Sequence, residues 1–454
     1  MTRHGIAVVW LTYCLTLNLV TTSESVASLV SRCLRAAGAT RAFAAQGHGL
    51  DALEGLALIP VTSEAAAIAL ADADGRLSVA PDARPGIALL PGRRLRLSSQ
   101  PGEETAPLSI AIEDLPAAIA GWSLGRVFGA IEIELPGDLL AEAPEGAQPL
   151  VLQRSDQLLR LSSGLADFRT MIVVGPGVIR DGVSADVADF VTRTGACVMT
   201  TMGAVGVVPF DHPSWCGVVG IQSDDPALGG LDECELVIAV GVDDDELGES
   251  LPVNAQLLEV EPWHLPFLAT DWPAEELEPV RSSLVEACAA VFGDHRDANT
   301  APLHPVRAVL DVFDAIDADV QVYVDGGAAG FWFARGVVPV PMGRVVVPAR
   351  VADGFAIAAA IVAALDGTRS VAITTPGGLI ENELLDLAAS LELGIVVEQW
   401  GDDVNSGDPS QHRANLVAAM GDSGVSVTGI AVDLSAAAEF VDLAGSVVAW
   451  RPDN

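Results

Sequence analysis

Residues 371–402, VAITTPGGLIENELLDLAASLELGIVVEQWGD, read as a β-α-β unit. A β-branched run, Val371 to Thr374, enters the turn Pro376-Gly377-Gly378. Leu384, Leu387, Ala388 and Leu391 then recur at helical spacing, and Ile395 to Val397 make a second apolar strand. The rest of the chain repeats this alternation. MIVVGPGVI (171–179), the helical ADVADFVTRTG (185–195), CVMTT (197–201) and ECELVIAVGV (233–242) are strands and helices of a parallel α/β sheet. SVASLVSRCLRAAG (25–38) sets Val26, Leu29, Val30, Cys33 and Leu34 on one helical face and stops at Gly38. Ala42 to Ala44 reads as a strand, and Leu50 to Leu56 as a helix after the turn Gly47-His48-Gly49.

A chain of 454 residues holds two or three domains, each with a full core. Lys+Arg is 24 against 61 Asp+Glu, a formal charge of -37. Such a surface repels phosphate backbones and anionic headgroups, which argues against nucleic acid and membrane-surface partners. There is no lysine at all; every base is arginine. That excludes a P-loop lysine, a pyridoxal Schiff base and lysine-dependent aldol chemistry. Cys14, Cys33, Cys197, Cys216, Cys234 and Cys288 show no C-x-x-C spacing, so they read as ordinary residues of a reducing compartment. The apolar run Ile6 to Val20 fits the core of a signal peptide, a short span, or an upstream extension of the reading frame.

Taken together these segments resemble the thiamine diphosphate (ThDP) enzymes, acetolactate synthase in particular. The resemblance covers roughly residues 25 to 450. It is densest at TTMG (200–203), Asp211-His212-Pro213, Gly217, Gly220 and Glu233-Cys234-Glu235. It implies three parallel-sheet α/β domains: a shortened pyrimidine-binding-like domain over 25–143, a central domain over 151–262 and a diphosphate-binding-like domain over 303–450. Residues 1–24 stand as an apolar extension. It also implies a cytoplasmic dimer with the active site between chains, and either FAD or nothing in the central domain. Gly175-Pro176-Gly177 is a weak dinucleotide fingerprint, and His212 beside Pro213 reads as a turn histidine.

Family positions for cofactor chemistry are only partly kept. Glu64 in IPVTSEAAAIALADADGR (59–76) matches the glutamate that bonds the aminopyrimidine and promotes the ylide. Ser63-Glu64 equally suits a helix start, where a carboxylate meets unpaired N–H groups. Asp325, Gly327, Trp332 and Arg335 match in VQVYVDGGAAGFWFAR (320–335), yet Ala328, Ala329 and Gly330 replace polar residues. Gly354-Phe355 is kept without the preceding glycines. Thr375 and Pro376 stand where the family has Gly-Asp, and Gln399 and Trp400 where it has the metal-binding Asn. Mg²⁺ takes near-octahedral oxygen ligands, and proline offers neither a side-chain oxygen nor an N–H. Glu398, Asp402 and Asp403 are the carboxylates a shifted loop would have to bring.

Gly327, Gly377 and Gly378 are therefore the candidate cofactor-binding residues, Glu64 the candidate catalytic one, and no metal ligand is assigned. The expectation is an acetolactate synthase-like protein with absent or weak ThDP binding and a structural or regulatory role, as homodimer or beside an active paralogue. The alternative is an active ThDP- and Mg²⁺-dependent 2-oxoacid decarboxylase or carboligase. Arg93, Arg94 and Arg96, the one basic cluster, read as an exposed edge or subunit contact, with Glu103 and Glu104 nearby.

Overall fold

The computed structural model describes residues 24–80, 83–99, 108–121, 130–150, 168–243, 246, 255–266, 268, 282–336, 344–376, 378–401, 404 and 408–450. The apolar run Ile6 to Val20 lies outside them, as do Glu103, Glu104, Gly377, Asp402 and Asp403. No helix among the described residues is long and apolar enough to cross a membrane.

Three sheets follow one another along the chain. The first has six strands: β1 (Arg41–Ala45), β2 (Ala57–Val61), β3 (Gly86–Leu90), β4 (Arg94–Ser98), β5 (Leu108–Ser109) and β6 (Ala130–Glu134). They lie in the order β2-β1-β3-β4-β6-β5. The second comprises β7 (Thr170–Val174), β8 (Cys197–Thr201), β9 (Trp215–Val219), β10 (Leu236–Val240) and β11 (Gln256–Val260), ordered β11-β10-β7-β8-β9. The third comprises β12 (Gln321–Val324), β13 (Val345–Val346), β14 (Ser370–Thr374), β15 (Ile395–Trp400) and β16 (Val425–Ile430), ordered β13-β12-β14-β15-β16. The second and third sheets are parallel throughout. In the first, β4 runs antiparallel to both neighbours. Only Pro91, Gly92 and Arg93 separate β3 from β4, far too few for a parallel crossover.

Leu50 to Leu56 forms a turn where a helix was expected. Gly49 just before it and Gly55 within it stand at φ 65 and φ 79. Its amides find side-chain partners, Leu50 N–H donating to His48 Nδ1 and Glu54 N–H to Ser31 Oγ. Seven residues are too few to nucleate a helix against such competition, and Leu50 and Leu53 still reach the core.

Helix Glu64–Leu77 starts at Ser63, whose hydroxyl accepts the Ala66 N–H. Its alanines leave little side chain above the backbone, so it approaches the first sheet closely. A Cβ on Gly86 would stand 1.7 Å from the Ala71 carbonyl oxygen, and one on Gly75 2.0 Å from that of Ser98. Its opposite side packs on helix Phe355–Leu365, FAIAAAIVAAL, which is apolar all round and buried along most of its length. That second helix in turn covers β12, β14 and β15, giving four layers: sheet, helix, helix, sheet. A separate core joins the second sheet to the far face of the third.

On that far face His412 is buried between Asp311 and Glu398, its Nδ1 and Nε2 at 3.1 and 3.0 Å from their oxygens. Burial lowers its pKa, but Glu398 and Asp311 outweigh this and lift it to about 9. The folded value lies above the ordinary one. The stabilisation is therefore complete below pH 6.5 and fades as pH rises through about 9. Urea unfolding from pH 6 to pH 10 should show stability falling across this window, with a flatter slope in His412→Gln. Gly86→Ala should lower stability by about 1–3 kcal/mol or more, because backbone and not a mobile side chain occupies the added methyl's place; equal urea midpoints for the two chains would contradict this.

Candidate functional site

Open parallel sheets bind ligands beyond the carboxyl ends of their strands, where the strand order reverses. In the third sheet that point lies between β12 and β14, because the chain leaves β12 for β13 on one side and β14 on the other. Asp325 follows β12 directly. It is buried, with Oδ1 accepting the Ala356 N–H at 2.8 Å and Oδ2 accepting the Thr374 hydroxyl at 2.5 Å. Glu381, in the first turn of helix Leu379–Ser390, is also buried and sets Oε1 3.3 Å from that hydroxyl. Burial pushes the Asp325 carboxyl up to about 6, opposed by its hydrogen bonds and reinforced by Glu381 and Asp353.

The adjoining turn is covered by an indole. Trp450 donates its Nε1–H to the Pro348 carbonyl at 2.9 Å. A Cβ on Gly326 would meet that nitrogen at 2.8 Å, and one on Gly330 would meet indole Cζ2 at 3.2 Å. Gly326 is closed in by this indole and the Arg350 carbonyl, and Gly330 more tightly by the Asp325 carbonyl and Val347, at 2.8 and 2.9 Å. Gly327 opens helix Ala328–Arg335 at φ 106, a conformation that favours glycine, and nothing lies within 4 Å of its missing Cβ. Gly378 is the residue before helix Leu379–Ser390 and has extended backbone; Gly377 lies outside the described residues.

Among the described residues the donor set does not fit a Mg²⁺-diphosphate. Pro376 carries no side-chain ligand atom, both Asp325 oxygens are already hydrogen-bonded, and Glu381 stands at the helix start where an anion would dock. A diphosphate would add negative charge beside Asp325, Glu381 and Asp353. Gln399 lies in register with Thr374. Trp400 is fully buried, its ring 5.4 Å from that of Phe333 and its Nε1–H donated to Glu398. Glu398 shares the sheet face of Val396 and Trp400 and is held by His412, so it points away from the turn.

Glu64 lies in the first turn of its helix, half-exposed, and Arg94 grips its Oε1 at 2.5 Å. The same guanidinium holds Glu132 at 3.0 Å. Nearby, Glu383 of helix Leu379–Ser390 accepts the Ser63 N–H at 2.7 Å and the Thr62 hydroxyl. The start of the Glu64 helix and the helix after the third sheet's turn thus meet within one chain. The basic cluster is not an exposed edge. β4 is an inner strand, and Arg96, 2% exposed, forks onto Asp72. Alternation along the strand turns Arg94 and Arg96 to one face, where both meet Glu132; Arg93, at φ 61 in the hairpin, faces outward.

The reversal point of the second sheet, between β7 and β10, is filled from within. Gly177 N–H donates to the Gly241 carbonyl, and a Cβ on Gly175 would lie 2.4 Å from it, so the Gly-Pro-Gly turn packs backbone on backbone. Arg180 forks onto Asp243 at 2.7 Å. Arg76 crosses from the first sheet's helix to the Gly203 carbonyl at 2.6 Å. Glu246 accepts from Thr201 and from Gly203 N–H, and burial with Asp243 nearby raises it to about 8. His212 is a turn residue, its Nδ1 accepting the Ser214 N–H.

Residues 166–262 match the family described as thiamine pyrophosphate enzyme, central domain. YdaP of Bacillus subtilis, named as thiamine pyrophosphate-containing, is 25% identical over 46% of this chain and 41% of its own length. The acetolactate synthase large subunit of Corynebacterium glutamicum is 26% identical over 34% of this chain and 22% of its own. The chain therefore spans less than half the length of these curated relatives. The structure of the ThDP-dependent 4-hydroxybenzoylformate decarboxylase of Rhodococcus jostii RHA1 superposes with a TM-score of 0.62 at 16% identity, over 90% of this chain and 99% of that one. The central segment thus matches the central-domain family of thiamine pyrophosphate enzymes, and the chain as a whole shares the fold of a ThDP-dependent decarboxylase.

Proposed function

We propose that this protein binds ThDP and Mg²⁺ weakly or not at all, and acts as a structural or regulatory relative of acetolactate synthase, either as a homodimer or in a complex with an active paralogue. The observation that carries this reading is the state of the third sheet's reversal point. The indole of Trp450 lies on Gly326 and Gly330, Asp325 and Thr374 bond to each other, and Pro376 stands where a metal-binding carboxylate is needed. The second reading is an active 2-oxoacid decarboxylase or carboligase with an atypical metal site. It draws on Asp325 and Glu381, two carboxylates that a rearranged turn would free for a cation.

Differential scanning fluorimetry with ThDP and Mg²⁺ separates the two, since stabilisation follows ligand concentration over dissociation constant. The expected result is little or no change in Tm; a multi-degree, dose-dependent rise at sub-millimolar ThDP overturns the proposal. Pro376→Asp with Gln399→Asn should restore only partial metal-dependent binding, and adding Trp450→Ala should increase it. If the triple variant folds and still binds nothing at millimolar ThDP, the missing glycines before Gly354 set the deficit. Glu64→Gln should lower stability by at most about 1 kcal/mol, the scale of a half-exposed ion pair at a helix start. The same variant, mixed with any co-purifying partner, should leave pyruvate consumption unchanged; abolished turnover there would restore a catalytic role to Glu64.

A further inference from the structure

Three helices meet away from both reversal points. His295 ends helix Ser283–His295, His304 caps helix Pro305–Ala315, and Glu439 lies in the first turn of helix Ala438–Ala444. His295 Nε2 is 2.9 Å from Glu439 Oε2, and His304 Nε2 is 3.6 Å from Glu439 Oε1. The two imidazoles stack at 3.7 Å with 9° between their planes. One ligand atom from each of the three residues lies within 4.8 Å of the others. His304 is 9% exposed, and its Nε2 has no hydrogen-bond partner. A buried ring nitrogen aimed at a carboxylate it does not reach is an unmet demand that calls for a ligand.

The geometry points to a divalent transition-metal site formed by His295, His304 and Glu439, taking Zn²⁺, Ni²⁺ or Co²⁺. Two imidazoles and one carboxylate suit these borderline cations, whereas Mg²⁺ and Ca²⁺ favour all-oxygen shells. His295 and Glu439 are partly exposed, which leaves a fourth position open to solvent and an entry path. A net charge of -37 raises the local concentration of cations. Binding disturbs one contact. His304 Nδ1 accepts the Val306 N–H at 3.3 Å, and coordination through Nε2 moves the ring proton to Nδ1, so this long cap opens. The stacked rings also turn toward a common point. The cation fastens the C-terminal helix to the two helices that lead into the third sheet.

The test uses untagged full-length chain stripped with chelator. Co²⁺ is followed by ligand-field absorption, then Zn²⁺ and Ni²⁺ by calorimetry. The expected result is one cation per chain, Co²⁺ bands without thiolate charge transfer, and no competition from excess Mg²⁺. His295→Ala and Glu439→Gln should each weaken binding by about tenfold or more. Both sit at partly exposed helix ends, and circular dichroism checks that the variants fold. Unchanged Zn²⁺ affinity in both variants, a thiolate-type Co²⁺ spectrum, or no binding at micromolar Zn²⁺ would each overturn the assignment. None of these outcomes depends on whether ThDP binds.

Discussion

The contact on which the rest of the molecule depends is helix against helix, Glu64–Leu77 on Phe355–Leu365. Both helices are rich in alanine, so the two of them and the two sheets close into four layers around one core. Close packing of this kind tolerates little change in volume, since added methyl groups meet main chain. It also fixes where the polar ends lie. The Glu64 end of one helix comes within reach of Glu383, and the far end of the other presents Asp366 to Arg41 and Arg84.

Arginine completes each junction. Between first and third sheets, Arg41 and Arg84 share Asp74 and Asp366. Between first and second, Arg76 reaches Gly203, beside the Arg180–Asp243 pair and Glu246. Between second and third, Arg335 joins Asp225, Gln222 and the Val218 carbonyl, while Gln222 donates to the Phe440 and Gly445 carbonyls. A planar guanidinium makes several directed bonds at once and loses less hydration on burial than an ammonium. A chain without lysine therefore has the cation best suited to buried seams. Removing either partner of such a pair would leave a stranded charge, which is far more damaging than never having built it.

Much of the architecture was legible in the sequence, and the physical reasons are specific. Val371 to Thr374 and Ile395 to Val397 are short apolar runs around a helical pattern, and they became β14, β15 and the helix between them. The Leu50 to Leu56 helix failed because His48 and Ser31 offered its amides other partners, a contact between segments that periodicity cannot register. Arg94 and Arg96 looked like surface because charge suggests solvent; their partners, Asp72, Glu132 and Glu64, are scattered along the chain. At the candidate site, Asp325 and the altered turn at Pro376 were readable. Trp450 lying on Gly326 and Gly330 was not, because the residues are more than a hundred positions apart and no motif links them. Glu381 had one local signal, an acidic residue in the first turn after Gly378, which reads first as a helix-start carboxylate.

Placing bases inside the seams has a consequence for the outside. Arg41, Arg76, Arg96, Arg335 and Arg344 are buried together with carboxylates such as Asp72, Asp74 and Asp225, so the seams compensate their own charge and leave fewer bases to offset the carboxylates that face solvent. Two such shells approach each other only through a layer of counter-ions. The repulsion between two copies is thus set by ionic strength, long in dilute buffer and shortened to a few ångströms as salt rises.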